Sequence, residues 1–129
     1  MRVLLTMKPA ILLTVVLIVL AGCSSSPYSQ ESRIALANCL ADKGVTESGA
    51  FWCPNCAEQK KMFGSEAFKI LEERGVYIEC DPRGDNAQPE RCIENKIEAY
   101  PTWDFPDGSR LVGVTQLETL AGKSGCTLE

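Results

Sequence analysis

Val45-Thr46-Glu47-Ser48-Gly49-Ala50-Phe51-Trp52-Cys53-Pro54-Asn55-Cys56 runs from a strand-like stretch straight into two cysteines three positions apart. Pro54 suits the first turn of a helix, where its missing N–H costs nothing. The Lys-rich amphipathic stretch that follows continues that helix to about Phe63, before Gly64. Thiols at i and i+3 on a first turn can close a small disulfide, and the helix N-terminus stabilises the thiolate of the first. The chain contains no histidine, so imidazole bases, Cys-His pairs and His-ligated metals are excluded. The bland alternative is half of a structural zinc knuckle, which needs a second close pair. Cys39, Cys80, Cys92 and Cys126 supply no such pair, so redox chemistry at Cys53 and Cys56 is the expectation, with no metal and no cofactor.

The N-terminus bears on the compartment. Arg2 and Lys8 precede an uncharged apolar run, Ala10 to Leu20, too short for a comfortable span and suited to a signal-peptide core. Leu20-Ala21-Gly22-Cys23 then resembles the bacterial lipobox, where cleavage leaves an acylated cysteine. An uncleaved signal anchor is the other reading. Residues 1–22 are therefore expected as a lipoprotein signal peptide, with Cys23 the lipidation site. Residues 23–31, Ser-rich at their start, are expected as a flexible tether, and residues 32–129 as one domain. Acyl chains contribute ~0.8 kcal/mol per buried CH₂, enough for lasting attachment to the bilayer. The expected location is extracytoplasmic, on a bacterial membrane facing periplasm or cell surface.

Of the 129 residues, 13 are basic and 17 acidic, a net charge of −4, and loss of the leader makes the balance more negative. Nucleic acid is excluded as a partner on that ground. Seven cysteines, one lipidated, leave an even number dense enough for an oxidising compartment.

The rest of the chain reads as alternating elements. A helix over Gln30–Lys43 carries Ile34, Leu36, Ala37 and Leu40 and ends at Gly44. A strand over Val45–Phe51 leads into the cysteine-bearing helix. Ser65 is expected to cap a further helix to Arg74, and Val76–Cys80 alternates as a second strand. Pro89–Lys96 reads as a short helix. Thr102–Phe105 and Arg110–Val112 flank Pro106-Asp107-Gly108-Ser109 as a hairpin. Thr115-Gln116-Leu117-Glu118 matches a capping box for the last helix.

This order, with the cysteine pair after the first strand and Tyr100-Pro101-Thr102 entering the third, resembles the thioredoxin fold: β-α-β, α, β-β-α, with an extra N-terminal helix. The resemblance implies that Pro101 is cis and lies against the disulfide. It implies too that the backbone of Tyr100 pairs there with an extended substrate segment. An ordinary strand-entry proline is the alternative. Asn38-Cys39-Leu40, Gly49 to Cys56, Glu58-Gln59-Lys60, Glu79-Cys80 and Tyr100 to Trp103 are together similar to a narrower group. That group is the thioredoxin-like domain fused to bacterial and plant vitamin K epoxide reductase homologues, whose membrane part passes electrons to a quinone. The likeness implies a protein thiol-disulfide oxidoreductase that oxidises substrate thiols and is re-oxidised by a membrane oxidase of that kind. It also implies a Cys80–Cys92 disulfide closing a loop of about a dozen residues, worth about 3 kcal/mol. Cys39 and Cys126 are then left over, to pair or stay free. Many members carry His where Asn55 stands here. A neutral amide brings no charge, so Cys53 should be less acidic and its disulfide less oxidising.

Cys53 is expected to be the accessible sulfur and Cys56 the shielded one. Trp52 either shelters the sulfurs or is plain core packing. Glu47 stands where thioredoxins carry a buried acid that relays a proton to the second cysteine. A solvated strand-end glutamate is the commoner situation, since unpaired Glu is rarely buried. Two other functions stay open. One is a reductase or isomerase fed by a membrane electron donor. The other is a non-catalytic lipoprotein with structural disulfides only.

Overall fold

A computed structural model describes residues 26–129; the signal-peptide segment and Cys23 lie outside the described residues. The element order is α1 (Gln30–Asp42), β1 (Thr46–Gly49), α2 (Pro54–Phe63), α3 (Ser65–Glu73) and β2 (Tyr77–Glu79). It continues with α4 (Pro89–Glu94), β3 (Thr102–Asp104), β4 (Arg110–Val112) and α5 (Leu117–Ser124). The four strands form one sheet in the order β2-β1-β3-β4. β1 pairs parallel with β2 and antiparallel with β3, and β3 pairs antiparallel with β4. The parallel pair needs a long crossover, which α2 and α3 supply. This is the thioredoxin-like arrangement with a helix added in front.

Each strand is shorter than its apolar stretch. Val45 and Ala50 flank β1, and Val76 and Cys80 flank β2, buried without belonging to the ladder. The main core gathers Leu36 and Leu40 of α1, Phe63 of α2, Phe68 and Leu71 of α3, Trp103 of β3 and Leu120 of α5. Full burial of each such side chain is worth ~1.5–3 kcal/mol. α1 starts because the Ser29 side chain accepts the Ser32 N–H at 3.1 Å. It stops because Gly44 turns left-handed at φ 74°.

Three local expectations are corrected. Ser65 is not a cap: it is the first residue of α3, behind Gly64, and no side chain bonds that end. Gly64 takes φ 79°, so the chain turns from α2 into α3 without a capping residue between them. The capping box before α5 is not formed either. Gln116 is the N-cap without a side-chain bond, and Thr115 turns its hydroxyl to the Gly113 carbonyl at 3.1 Å. Its N–H is drawn instead to Gln59 Oε1 at 2.7 Å. The third correction concerns the tether. Tyr28 packs against the core and donates its hydroxyl to Glu118 at 2.7 Å, while Ser29 to Glu31 form the cap and first turn of α1. An aromatic ring with a charged acceptor ties this stretch down, so within the described residues no free tether remains.

Two disulfides close the fold. Cys39 of α1 is bonded to Cys126 just past α5, and Cys80 at the end of β2 to Cys92 of α4. The second sits in its own small core with Ile78, lined by Ile97 and Tyr100.

Candidate active site

β1 delivers the site. Gly49 ends the strand, its carbonyl accepting the Cys80 N–H at 2.8 Å, and the chain turns through Ala50, Phe51 and Trp52. Cys53 is the N-cap of α2. Its N–H donates to the Ala50 carbonyl at 3.0 Å, and its Sγ accepts the Cys56 N–H at 3.3 Å. Pro54 occupies the first turn. A sulfur at a helix N-terminus with a backbone donor aimed at it is placed to carry negative charge. Cys53 and Cys56 are free thiols here.

The expected contrast in exposure is not what separates them. Cys53 is 7% exposed and Cys56 6%, because Ala50 and Tyr100 pack over both. Their chemical surroundings separate them instead. Burial first, and then the hydrogen bond with Cys53, push the Cys56 thiol well up from its usual range. Of the two, Cys53 meets the cis-proline turn, its thiol donating to the Tyr100 carbonyl at 3.7 Å.

The Tyr100–Pro101 bond is cis. It leaves the Tyr100 carbonyl facing Cys53, while the Pro101 carbonyl accepts the Gly113 N–H at 2.8 Å. Trp52 is not core packing. It is 54% exposed and meets the Tyr100 ring edge-on, with centroids 6.1 Å apart. Its indole N–H donates to Asp81 at 2.7 Å, since a Trp nitrogen near the surface takes the nearest acceptor. The Arg83 guanidinium beside Asp81, with lesser help from Trp52, holds that carboxyl below the usual range. Phe51 and Trp52 thus form an exposed aromatic rim. Asn55 is exposed on the outer face of the first turn.

Glu47 overturns the solvated alternative. It is fully buried, and neither carboxyl oxygen has a hydrogen-bond partner. Strand pairing sets it between Tyr77 of β2 and Trp103 of β3. Parallel and antiparallel partners project to the same face, so all three lie beneath α2. Burial first, then the charges of Cys53 and Glu72, push its pKa up to about 8. The buried amide of Gln59 in α2 is already taken. Gln59, fully buried, donates to the Thr115 carbonyl at 3.0 Å and accepts from the Trp103 indole at 3.3 Å. Glu47 is therefore a protonatable acid held close to the thiols with nothing else to bond.

Cys80–Cys92 lies close to the pair through Tyr100, which packs against both clusters. Cys39–Cys126 belongs to the main core, with Cys126 among its buried members and Cys39 packed against it. Sequence reasoning did not single out Tyr77, nor Gly49 as a residue of the site. A Cβ on Gly49 would stand 3.0 Å from Cys56 Sγ and 2.9 Å from the Tyr77 ring. The period-two alternation of β2 was the available signal, since it sets Tyr77 and Glu79 on one face.

Fold and site together define a thioredoxin-like α/β domain with a dithiol at a helix tip beside a cis-proline. No family model matches the chain. Over 109 residues, 82% of its length, it is 42% identical to the thiol-disulfide oxidoreductase LTO1 of Arabidopsis thaliana. The matched stretch is 27% of that relative, so the chain spans about a quarter of its length.

Asn55→His is expected to make the Cys53–Cys56 disulfide the stronger oxidant, because an imidazolium on the first turn stabilises the reduced form. A shift of about +30 mV corresponds to ~1.4 kcal/mol for two electrons, an upper figure for an exposed charge. Equilibration in glutathione buffers reads it, and an unchanged or more negative potential would contradict it.

Proposed function

We propose that this protein is a thiol-disulfide oxidoreductase that exchanges a Cys53–Cys56 disulfide with protein thiols. The observation that carries the reading is the pair itself: the free thiols of a chain whose other described cysteines are bonded, set at a helix N-terminus beside the Tyr100 carbonyl. Likeness to a relative named for this activity supports it.

In the oxidising direction a substrate thiolate attacks Cys53 Sγ. The Cys53–Cys56 bond breaks, and its electron pair leaves on Cys56. That sulfur, strongly basic in its buried place, takes a proton, and Glu47 is the acid nearest in character to supply it. A second substrate thiolate then attacks the substrate sulfur of the mixed disulfide. It releases Cys53 as thiolate, and the substrate leaves oxidised. The carbonyl of Tyr100, turned toward Cys53 by the cis bond, is the group on which an extended substrate segment would hydrogen-bond. Phe51, Trp52 and Tyr100 give that segment an apolar rim.

Oxidation is the direction we favour, with a quinone-linked membrane oxidase, similar to the vitamin K epoxide reductase homologues, restoring the disulfide. Two bonded disulfides in one small domain support an oxidising compartment. The test is equilibration of the protein with glutathione redox buffers followed by alkylation and mass analysis. Cys53 and Cys56 should interconvert between dithiol and disulfide under conditions that leave Cys39–Cys126 and Cys80–Cys92 intact. A pair that stays closed with the other two would make all three structural and sink the reading.

Acylation at Cys23 would hold the domain at the bilayer. Ser26 is three residues further on, so the anchor would stand within about 10 Å of the folded surface. Attachment that close raises the effective concentration of a membrane partner. Cys23→Ala is expected to release a soluble protein that keeps its exchange chemistry but accumulates as dithiol in cells. Fractionation and thiol trapping check it. A variant that stays membrane-bound, or as oxidised as the parent, would refute the anchor.

A further inference from the structure

Two side chains near Cys56, the half-buried Tyr77 and the buried Glu79, have no part in the steps above. Tyr77 and Glu79 project to the same face as Glu47 and Gly49, their partners across the parallel ladder. The Tyr77 hydroxyl donates to Glu79 Oε2 at 3.0 Å, and Glu79 Oε1 accepts the Asp81 N–H at 2.9 Å.

Two glycines make room for this pair. The place a Cβ of Gly49 would occupy lies 3.0 Å from Cys56 Sγ and 3.2 Å from the Tyr77 hydroxyl. Sulfur and phenol thus both border the one spot that a Gly49 side chain would fill. A Cβ on Gly84 would stand 2.5 Å from Cγ and 2.6 Å from Cδ of Glu79, so the carboxylate too is seated against a residue without a side chain. Cys56, Tyr77 and Glu79 all line one cavity of about 570 Å³, open between α2, α3 and the loop carrying Asp85 and Asn86. Glu47 is enclosed. It has no hydrogen-bond partner that would pass a proton on to solvent.

We propose that Tyr77 and Glu79 form a proton outlet that connects Cys56 to solvent through this cavity. The inference rests on the exchange reading given above. When Cys56 attacks Cys53 Sγ of a mixed disulfide, its S–H proton must leave. The proton passes to the Tyr77 oxygen while the Tyr77 hydroxyl proton passes to the Glu79 carboxylate. The electron pair of Cys56 makes the Cys53–Cys56 bond, and the pair of the broken bond departs on the substrate sulfur. Glu79 then gives its proton to water at the cavity. Burial and the Glu79 charge hold the Tyr77 phenol in its neutral form, as suits a group that passes a proton on without storing charge.

The charged and titratable groups around the outlet are Cys56 of α2, Glu47 from β1, which acts on Tyr77 from within the core, and Asp85 from the loop that lines the cavity. The others are paired: Lys60 of α2 with Glu72 of α3, and Lys69 with Glu73 within α3, each at 3.6 Å. None of the cations bonds Tyr77 or Glu79, so the pair is left to move protons.

The test loads Cys53 with a chromogenic aryl thiol as a mixed disulfide and follows release of that thiol as Cys56 closes the ring. Tyr77→Phe keeps the ring packing and loses only the hydroxyl. Release is expected to slow about tenfold or more near neutral pH, with the deficit closing by about pH 10, where hydroxide deprotonates Cys56 directly. Formation of the adduct at Cys53 should keep its parental rate. Glu79→Gln should give the same pH-dependent deficit. If it unfolds for want of its bond to Asp81, Tyr77→Phe decides alone. A Tyr77→Phe profile that superimposes on the parent overturns the outlet. A deficit equal at every pH does so as well, since that marks a purely structural role. If the parent itself neither forms nor resolves the adduct, the exchange reading fails and the outlet with it.

Discussion

Cys53→Ser is expected to abolish reduction of a disulfide-bonded peptide by the dithiol protein, and Cys56→Ser to stop it at a trapped mixed disulfide. The first variant removes the only sulfur of the pair that meets the Tyr100 carbonyl, so no covalent intermediate can form. The second leaves Cys53 able to exchange but removes the thiol that resolves the adduct, and the substrate stays attached. Losses of this kind are large, about 10³-fold or more, because the covalent step has no substitute. Non-reducing gels and peptide mass analysis separate the two outcomes. Normal turnover by Cys56→Ser, or an adduct on Cys56 in the parent, would reverse the roles. Because both sulfurs are equally covered, alkylation rate alone does not distinguish them; the trapped species does.

Glu47→Leu should make the protein more stable and a poorer oxidoreductase. The carboxyl is fully buried without a partner, and burial pushes its pKa up to about 8. In the unfolded chain it titrates near the ordinary carboxylate value, so between those two values the folded state holds a proton that the unfolded state has released. Stability therefore falls as pH rises through that window, at about 1.4 kcal/mol per unit when the difference is complete. The variant lacks this loss. Its advantage in urea unfolding should be small near pH 5 and grow to roughly several kcal/mol by about pH 8. Exchange at neutral pH should slow by about tenfold or more, since a proton donor to Cys56 is gone. A stability advantage that is flat with pH would show that Glu47 is charged in the folded protein. An unaltered exchange rate would remove it from the mechanism.

The order of elements was legible because its signals are local. Glycines at 44, 64, 75 and 125 end or separate helices by adopting positive φ. Period-two alternation marked β2. Pro106-Asp107-Gly108-Ser109 closes the β3–β4 hairpin, with Gly108 donating to the Phe105 carbonyl at 2.9 Å. Capping was less legible. Thr115 fits the local pattern of a cap residue, yet a buried Gln59 far away in sequence captures its N–H. A local rule gave way there to a tertiary hydrogen bond in a dry interior, where an unsatisfied amide costs more than a lost cap.

The sequence by itself determined the positions of the cysteine pair and of the proline that faces it, because both are written in contiguous residues: Cys53 to Cys56 and Tyr100-Pro101. It also set the thioredoxin-like order of strands and helices, which follows from periodicity and turn chemistry. Only the tertiary structure decided how Cys39 and Cys126 are paired, since each end of that bridge is positioned by a different helix. The environment of Glu47 was decided in the same way. One residue of slippage in register would have sent it to the opposite face, and pairing with Tyr77 and Trp103 placed it beneath α2. The placement of Cys56 and Tyr77 around Gly49 depends on the packing of a helix on two strands at once. Such placements are set by long-range contacts that no short stretch of chain encodes, and they bring Glu47, Tyr77 and Glu79 to one face of the sheet.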